Sequence, residues 1–169
     1  LFAHEQADIT PDILCVGKAL TGGYLSLAAT LCSSKIADGI GSGEHPTLMH
    51  GPTFMANPLA CAVANASIKL LLDSPWQQRV QTIEHQLLTE LEPCRELSAV
   101  KDVRVKGAIG VIELHKCIDI HWIQPRFVEL GVWIRPFSNL VYVMPPYIIE
   151  PNDLSSITSS MRQVVSEIK

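Results

Sequence analysis

Three short stretches carry residue types and spacings that chemistry can use. The first is Val16-Gly17-Lys18-Ala19-Leu20, followed by Thr21-Gly22-Gly23. A lysine directly after an apolar strand stands at the strand's carboxyl end, where open α/β sheets place ligands. A desolvated stem there disfavours the ammonium form and suits nucleophilic use of the amine. The two glycines let backbone come close to a bound group. The plain alternative is a surface lysine at a strand end. A Walker-type phosphate loop is excluded, because G-x-x-x-x-G-K-[ST] would need glycine and a hydroxyl residue where the chain has Asp12 and Ala19.

The second stretch is His50-Gly51-Pro52-Thr53-Phe54. A glycine beside a proline gives a rigid turn with exposed backbone, and a threonine hydroxyl with its own N–H can hold a phosphate oxygen. By itself the stretch reads first as a loop of ordinary turn residues. His45 and His50 have no third ligand nearby, which leaves little reason to expect a metal. The third is Arg135 in Val-Trp-Ile-Arg-Pro-Phe. Its flanks Val132, Trp133, Ile134 and Phe137 are apolar, so the guanidinium is expected to leave a buried strand at a turn. Such an arginine suits a carboxylate held by two parallel bonds. A structural salt bridge to Glu113 or Glu129 is the alternative. Tyr142 is either an amphipathic core residue or a pocket residue.

The elements that must position these residues follow from the pattern. Residues 11–17 predict a short buried strand ending at Lys18, and Leu25–Cys32 predict a second strand buried on both faces. A short helix is expected from Ser33 to Gly41 or Gly43, then a loop over 44–55. Asn57-Pro58 opens a long alanine-rich helix. Asp73-Ser74-Pro75 breaks it and is the candidate domain boundary. Beyond it come an amphipathic helix over 76–92 and, around Gly107, two antiparallel strands or one bent one. A helix over 118–130 follows, containing Pro125 and ending at Gly131. Val132–Ile134 and Leu140–Met144 predict a hairpin. A last amphipathic helix is capped by Asn152 or Asp153. The expected domains are residues 1–74, the end of an α/β sheet domain, and 75–169, a small α+β domain.

The chain has 169 residues, 47% of them hydrophobic, with 13 basic and 17 acidic side chains for a net charge of −4. That weakly acidic balance argues against a nucleic-acid or anionic-membrane surface. No apolar run approaches the ~18 residues of a membrane span. Five scattered cysteines without a C-x-x-C pair read as reduced thiols of a cytoplasmic protein. Leu1 is not a methionine, and the chain is expected to be a piece of something longer.

Taken together, Asp-Ile-Leu-Cys-Val-Gly-Lys-Ala-Leu-Thr-Gly-Gly, Met-His-Gly-Pro-Thr-Phe-Met-Ala-Asn-Pro-Leu-Ala-Cys-Ala, Gly-Val-Trp-Ile-Arg-Pro-Phe and Val-Tyr-Val-Met-Pro-Pro-Tyr resemble the C-terminal part of a class III aminotransferase. Met-His-Gly-Pro-Thr-Phe-Met with Arg-Pro-Phe and Met-Pro-Pro-Tyr is similar to the branch that serves biotin biosynthesis. The resemblance runs from about Asp8 to the last helix. It implies fold-type I, pyridoxal 5'-phosphate as cofactor, and a homodimer with its site at the subunit interface. Lys18 would be the lysine that bonds the cofactor, and Pro52 and Thr53 would contact its phosphate, usually across that interface. Gly51 would line the substrate pocket, Arg135 would bind the carboxylate of a keto-acid acceptor, and Tyr142 would be a further pocket residue. The family branch takes its amine from S-adenosylmethionine.

Departures accompany the match. Glu44-His45-Pro46-Thr47-Leu48 replaces a small, glycine-containing stretch, Ala56 stands where glycine is usual, and Pro125 falls inside an expected helix. The family's aspartate for the pyridine nitrogen, its glycine-serine phosphate loop and its substrate-facing aromatics would all precede Leu1. The chain is therefore expected to hold less than half of the enzyme and to bind cofactor weakly alone. The competing expectations are a class III aminotransferase of the ω-amino-acid or ornithine type, and a truncated chain without activity.

Overall fold

The computed structural model describes residues 1–168. It divides into two compact units, one over Leu1–Ser74 and the other from Pro75 onward.

The first unit begins with a helical turn, α1 (Ala3–Gln6), and a strand, β1 (Ile13–Val16). A 3₁₀ turn (Lys18–Thr21) and a loop lead to β2 (Ala29–Cys32), which pairs antiparallel with β1 in register Ile13↔Cys32 to Val16↔Ala29. Two helices follow, α2 (Ser34–Gly41) and α3 (Pro58–Leu72). α3 starts where its sequence says it must. Asn57 caps it, its side-chain oxygen accepting from the amides of Leu59 at 3.0 Å and Ala60 at 3.2 Å, and Pro58 occupies the first turn.

The strands differ from expectation. Only Ala29–Cys32 of the predicted Leu25–Cys32 strand is extended and paired, all four of its residues are exposed, and β1 is half-exposed rather than buried. The reason is local. Leu25 spends both backbone groups on the Thr21 hydroxyl, so it has none for a ladder. The ribbon has no further strand on either edge among the described residues.

The second unit is a three-stranded antiparallel sheet, order β3-β4-β5, from β3 (Val100–Lys106), β4 (Ile109–Leu114) and β5 (Leu140–Val143). Helices α4 (Trp76–Leu91), α5 (Ile120–Glu129) and α6 (Pro151–Ser166) supply the rest of its core, and a 3₁₀ turn spans Glu92–Glu96. Alternation makes the sheet two-faced. Val103, Ile112, Leu114, Val141 and Val143 are buried with Ile83, Leu87 and Leu91 of α4, Ile123 and Phe127 of α5, and Leu154, Met161, Val164 and Val165 of α6. Gly107, at φ +54°, opens the two-residue turn between β3 and β4, and its amide donates to Glu84 at 2.8 Å.

Two further expectations need correction. Val132–Ile134 forms no strand, so the hairpin reduces to a tight turn in which Phe137 and Leu140 exchange backbone bonds at 2.9 and 2.8 Å. The Val132 amide is already used, donating to the Phe127 carbonyl at 3.0 Å to close α5 beyond Gly131 at φ +77°. Pro136 has no N–H to offer. The last helix is entered through Glu150 and Pro151, not capped by Asn152 or Asp153. Pro125 sits inside α5, past its first turn. All five cysteines are free thiols, and no helix among the described residues is long and apolar enough to cross a membrane.

Candidate active site

Lys18 leaves β1 through Gly17, whose backbone is fully extended. A Cβ on Gly17 would come within 3.3 Å of the Ala28 Cβ, so the returning chain passes close to the strand end. Lys18 itself has φ +53°, a left-handed conformation that costs a side-chain-bearing residue ~1–2 kcal/mol. The 3₁₀ turn that it opens ends at Gly22, φ +62°, where a Cβ would lie 3.3 Å from Ser67 Oγ on α3. Thr21 inside the turn is 1% exposed. Its hydroxyl donates to the Leu25 carbonyl and accepts from the Leu25 amide at 3.4 Å. Lys18 and residues Gly23–Ala28 line an open hollow of about 610 Å³.

The lysine thus stands at the strand's carboxyl end, as expected, but its stem is not desolvated. Lys18 is exposed, because β1 belongs to a ribbon that no second layer covers among the described residues of this unit. It makes no ion pair among them.

Gly51, Pro52 and Thr53 lie in the predicted loop, all exposed. The loop is held by short local bonds, His50 to the Leu48 carbonyl at 2.8 Å and Met55 to the Pro52 carbonyl at 2.9 Å. Nothing lies within 4 Å of where a Gly51 Cβ would be. These three residues do not line the Lys18 hollow. Around them Leu48, Met49, Phe54 and Met55 are exposed, an apolar collar on an irregular loop. Ala56, the departure noted above, has φ +53°; the usual glycine would adopt that conformation without strain.

In the second unit Arg135 lies on the extended segment after α5. Ile134 and Pro136 are buried, while Trp133, Arg135 and Phe137 point outward. The segment is pinned by the Phe137–Leu140 turn, and the Asn139 side chain donates to the Leu114 carbonyl at 2.8 Å. Both carboxylates that could have neutralised Arg135 are engaged elsewhere. Glu113 accepts from Lys101 at 2.7 Å and from Arg104 at 2.5 Å, bonds that hold its carboxyl below the usual range. Glu129 is paired with Arg126. Arg135 is in no ion pair among the described residues. Tyr142 is half-buried on β5, beside Val111 of β4, on the face opposite Val141 and Val143.

Lys18 at a strand end and Arg135 on an extended segment are thus both without an ion pair among the described residues. Sequence reasoning missed Thr21 and the hollow's other wall; the hydroxyl directly before two glycines was the available signal.

The family model for class-III aminotransferases matches residues 1–165, and the chain belongs to that family. Within it, the chain is 55% identical to the adenosylmethionine-8-amino-7-oxononanoate aminotransferase of Mycobacterium leprae, over 97% of this chain and 38% of that protein. Identity to the protein of the same name from Buchnera aphidicola is 52%, over 99% of this chain and 39% of that one. For the Saccharomyces cerevisiae protein it is 43%, covering 98% and 36%. Among solved structures, the adenosylmethionine-8-amino-7-oxononanoate aminotransferase of Methanocaldococcus jannaschii superposes with a TM-score of 0.83 at 29% identity, covering 98% of this chain and 41% of that one. A PLP-bound amine transaminase from an uncultivated Pseudomonas species superposes at 0.87 and 28%, covering 98% and 40%. The chain thus spans less than two fifths of the length of these curated relatives.

Proposed function

We propose that the protein carrying this chain is a pyridoxal-phosphate-dependent aminotransferase that moves an amine from S-adenosylmethionine to 8-amino-7-oxononanoate, giving 7,8-diaminononanoate for biotin synthesis in the cytoplasm. The observation that carries the reading is identity of 55% and 52%, over nearly the whole chain, to bacterial proteins of that name. Fold similarity alone does not select the donor, since an amine transaminase superposes at 0.87 and the M. jannaschii protein at 0.83. Leu1–Ser74 is read as the end of the cofactor-binding large domain and the rest as the small domain.

The residues present fit the cofactor. Lys18 offers a primary amine in no ion pair among the described residues, on an open hollow whose lining contains no carboxylate. When bound, pyridoxal phosphate supplies an aldehyde that condenses with a primary amine and a conjugated ring that accepts electrons from the adjacent C–H bond. Lys18 would hold the cofactor through its amine, and its Nζ, when free, would serve as the base and acid for a proton at the donor carbon. Arg135 orients the acceptor by gripping its carboxylate, and Gly51 and Tyr142 are read as further substrate-binding residues. Pro52 and Thr53 hold the phosphate of a partner subunit's cofactor. Two features support a site shared in a homodimer: the Gly-Pro-Thr corner does not line its own chain's lysine hollow, and its apolar collar is exposed.

The test is made in the full-length protein. Lys18→Ala is expected to abolish both borohydride fixation of the cofactor and amine transfer from S-adenosylmethionine; a variant retaining both removes Lys18 from the chemistry. Transfer from ω-amines or ornithine but not from S-adenosylmethionine would reassign the substrate within the family.

A further inference from the structure

We infer that Thr21 is a positioning residue for the Lys18 amine; this rests on reading Lys18 as the lysine that bonds the cofactor. Lys18 sits at φ +53°, and a strained residue keeps such a conformation only where its surroundings over-determine it. The residues around it are mostly exposed loop, which by itself would not do so. Thr21 is the exception, the one buried polar residue among those described in Leu1–Ser74.

Its hydroxyl uses both roles on one residue, donating to the Leu25 carbonyl and accepting the Leu25 amide. The Tyr24 amide donates back to the Thr21 carbonyl at 3.2 Å, closing the same small ring. On the other side, the Leu20 amide bonds the Gly17 carbonyl at 3.1 Å and the Gly22 amide bonds the Ala19 carbonyl at 3.0 Å. Gly22 rests against Ser67 of α3. The turn bearing Lys18 and the loop forming the opposite wall of its hollow are thus tied together through Thr21 and seated on a helix. Valine has nearly the shape of threonine but can make neither bond, so Thr21→Val releases the wall and lets Lys18 relax to an ordinary backbone conformation. Serine keeps the hydroxyl.

The experiment compares wild type, Thr21→Val and Thr21→Ser in the full-length protein, stripped of cofactor and reloaded with pyridoxal phosphate. The rate of covalent fixation at Lys18 is followed by borohydride trapping and peptide mass, and hydrogen exchange of the Leu25 amide is measured in parallel. Thr21→Val is expected to slow fixation and to speed Leu25 exchange, each on the order of tenfold, as for the loss of a buried hydrogen bond. Thr21→Ser is expected to restore both, and exchange of the α4 and α6 peptides to stay unchanged. Wild-type fixation elsewhere than Lys18 defeats the underlying reading. Fixation at Lys18 that is equally fast in Thr21→Val, or that Thr21→Ser fails to restore, defeats only the positioning role. Should Thr21→Val not fold, an unprotected Leu25 amide in wild type still overturns the inference, and Thr21→Ser with wild-type rates sustains it.

Discussion

Replacing Glu90 by glutamine should weaken the unit that begins at Pro75 and flatten its response to acid. Glu90 lies on α4, half-buried against α6. Its carboxylate accepts from Ser155 Oγ at 2.6 Å, from Thr158 Oγ1, and from Gln86 Nε2 at 3.0 Å. Gln86 continues the cluster to Ser155 Oγ at 3.0 Å and the Pro151 carbonyl at 2.8 Å. Thr158 is completely buried, so without the carboxylate its hydroxyl is left with only the longer bond to the Ser155 carbonyl at 3.1 Å. Glutamine retains one acceptor oxygen but turns an NH₂ toward groups that were donating. The change forfeits about one charge-assisted bond, discounted for partial exposure, or about 1–2 kcal/mol.

Burial pushes the Glu90 carboxyl up, but the bonds from Ser155, Thr158 and Gln86 outweigh it and hold the group below its ordinary 4.5. The unfolded chain then binds the proton more readily. The stabilisation is fully present above pH 4.5 and is lost as pH falls through the lower folded value. The assay is urea unfolding followed by tryptophan fluorescence. The three tryptophans of this chain, Trp76, Trp122 and Trp133, lie in this unit, so in the 169-residue chain the signal reports on it. Glu90→Gln should lower the midpoint at neutral pH with unchanged m, and lose less stability than wild type below pH 4.5. Equal midpoints at neutral pH, or parallel losses in acid, would refute the reasoning.

Three other outcomes are expected. Gly110→Ala places a Cβ 2.9 Å from Leu91 Cδ1 and 3.2 Å from Leu87 Cδ2. In so closed a core that overpacking should cost about 1–3 kcal/mol, read by the same fluorescence midpoint. Ala56→Gly should relieve the left-handed backbone at φ +53°, and Asn57→Ala should remove the cap beside it. The two should move hydrogen-exchange protection of the Leu59 and Ala60 amides in opposite directions, each by about 1 kcal/mol. Arg135→Ala should raise the acceptor KM by roughly tenfold to a hundredfold, the loss of a charge-assisted pair, while leaving the S-adenosylmethionine half-reaction intact. Equal damage to both halves would take the acceptor carboxylate away from Arg135.

Which elements could be read from the chain depended on how local their causes are. Asn57-Pro58 starts α3, Gly131 ends α5 and Gly107 turns β3 into β4, because each signal acts within a few residues of itself. The strand predicted over Leu25–Cys32 is shortened because its first residue is claimed by a hydroxyl four positions earlier. The strand predicted over Val132–Ile134 is absent because one amide closes the preceding helix. Apolar periodicity says nothing about either competitor. The Glu90 cluster was invisible for another reason: it joins residues 65 to 69 positions apart, and a glutamate on an amphipathic helix reads as a solvated one.

For the candidate site the same division runs through single residues. From the chain, Arg135 was as much a partner for Glu113 or Glu129 as a free clamp. Deciding between them required knowing where other cations go. Register in the β3–β4 pair sets Val111 against Arg104 and Glu113 against Asp102, which brings Lys101 and Arg104 onto Glu113 from the neighbouring strand. Arg126, one helical turn before Glu129, takes that carboxylate and Glu167 as well. Two ion-pair clusters elsewhere therefore leave the Arg135 guanidinium without an anion among the described residues, on a backbone that the Phe137–Leu140 turn holds. A guanidinium fixed in place with no anion among the described residues is free to take one from outside. The pairs that Glu113 and Glu129 make exclude the structural salt bridge, and the carboxylate of a keto-acid acceptor is the anion we propose in its place.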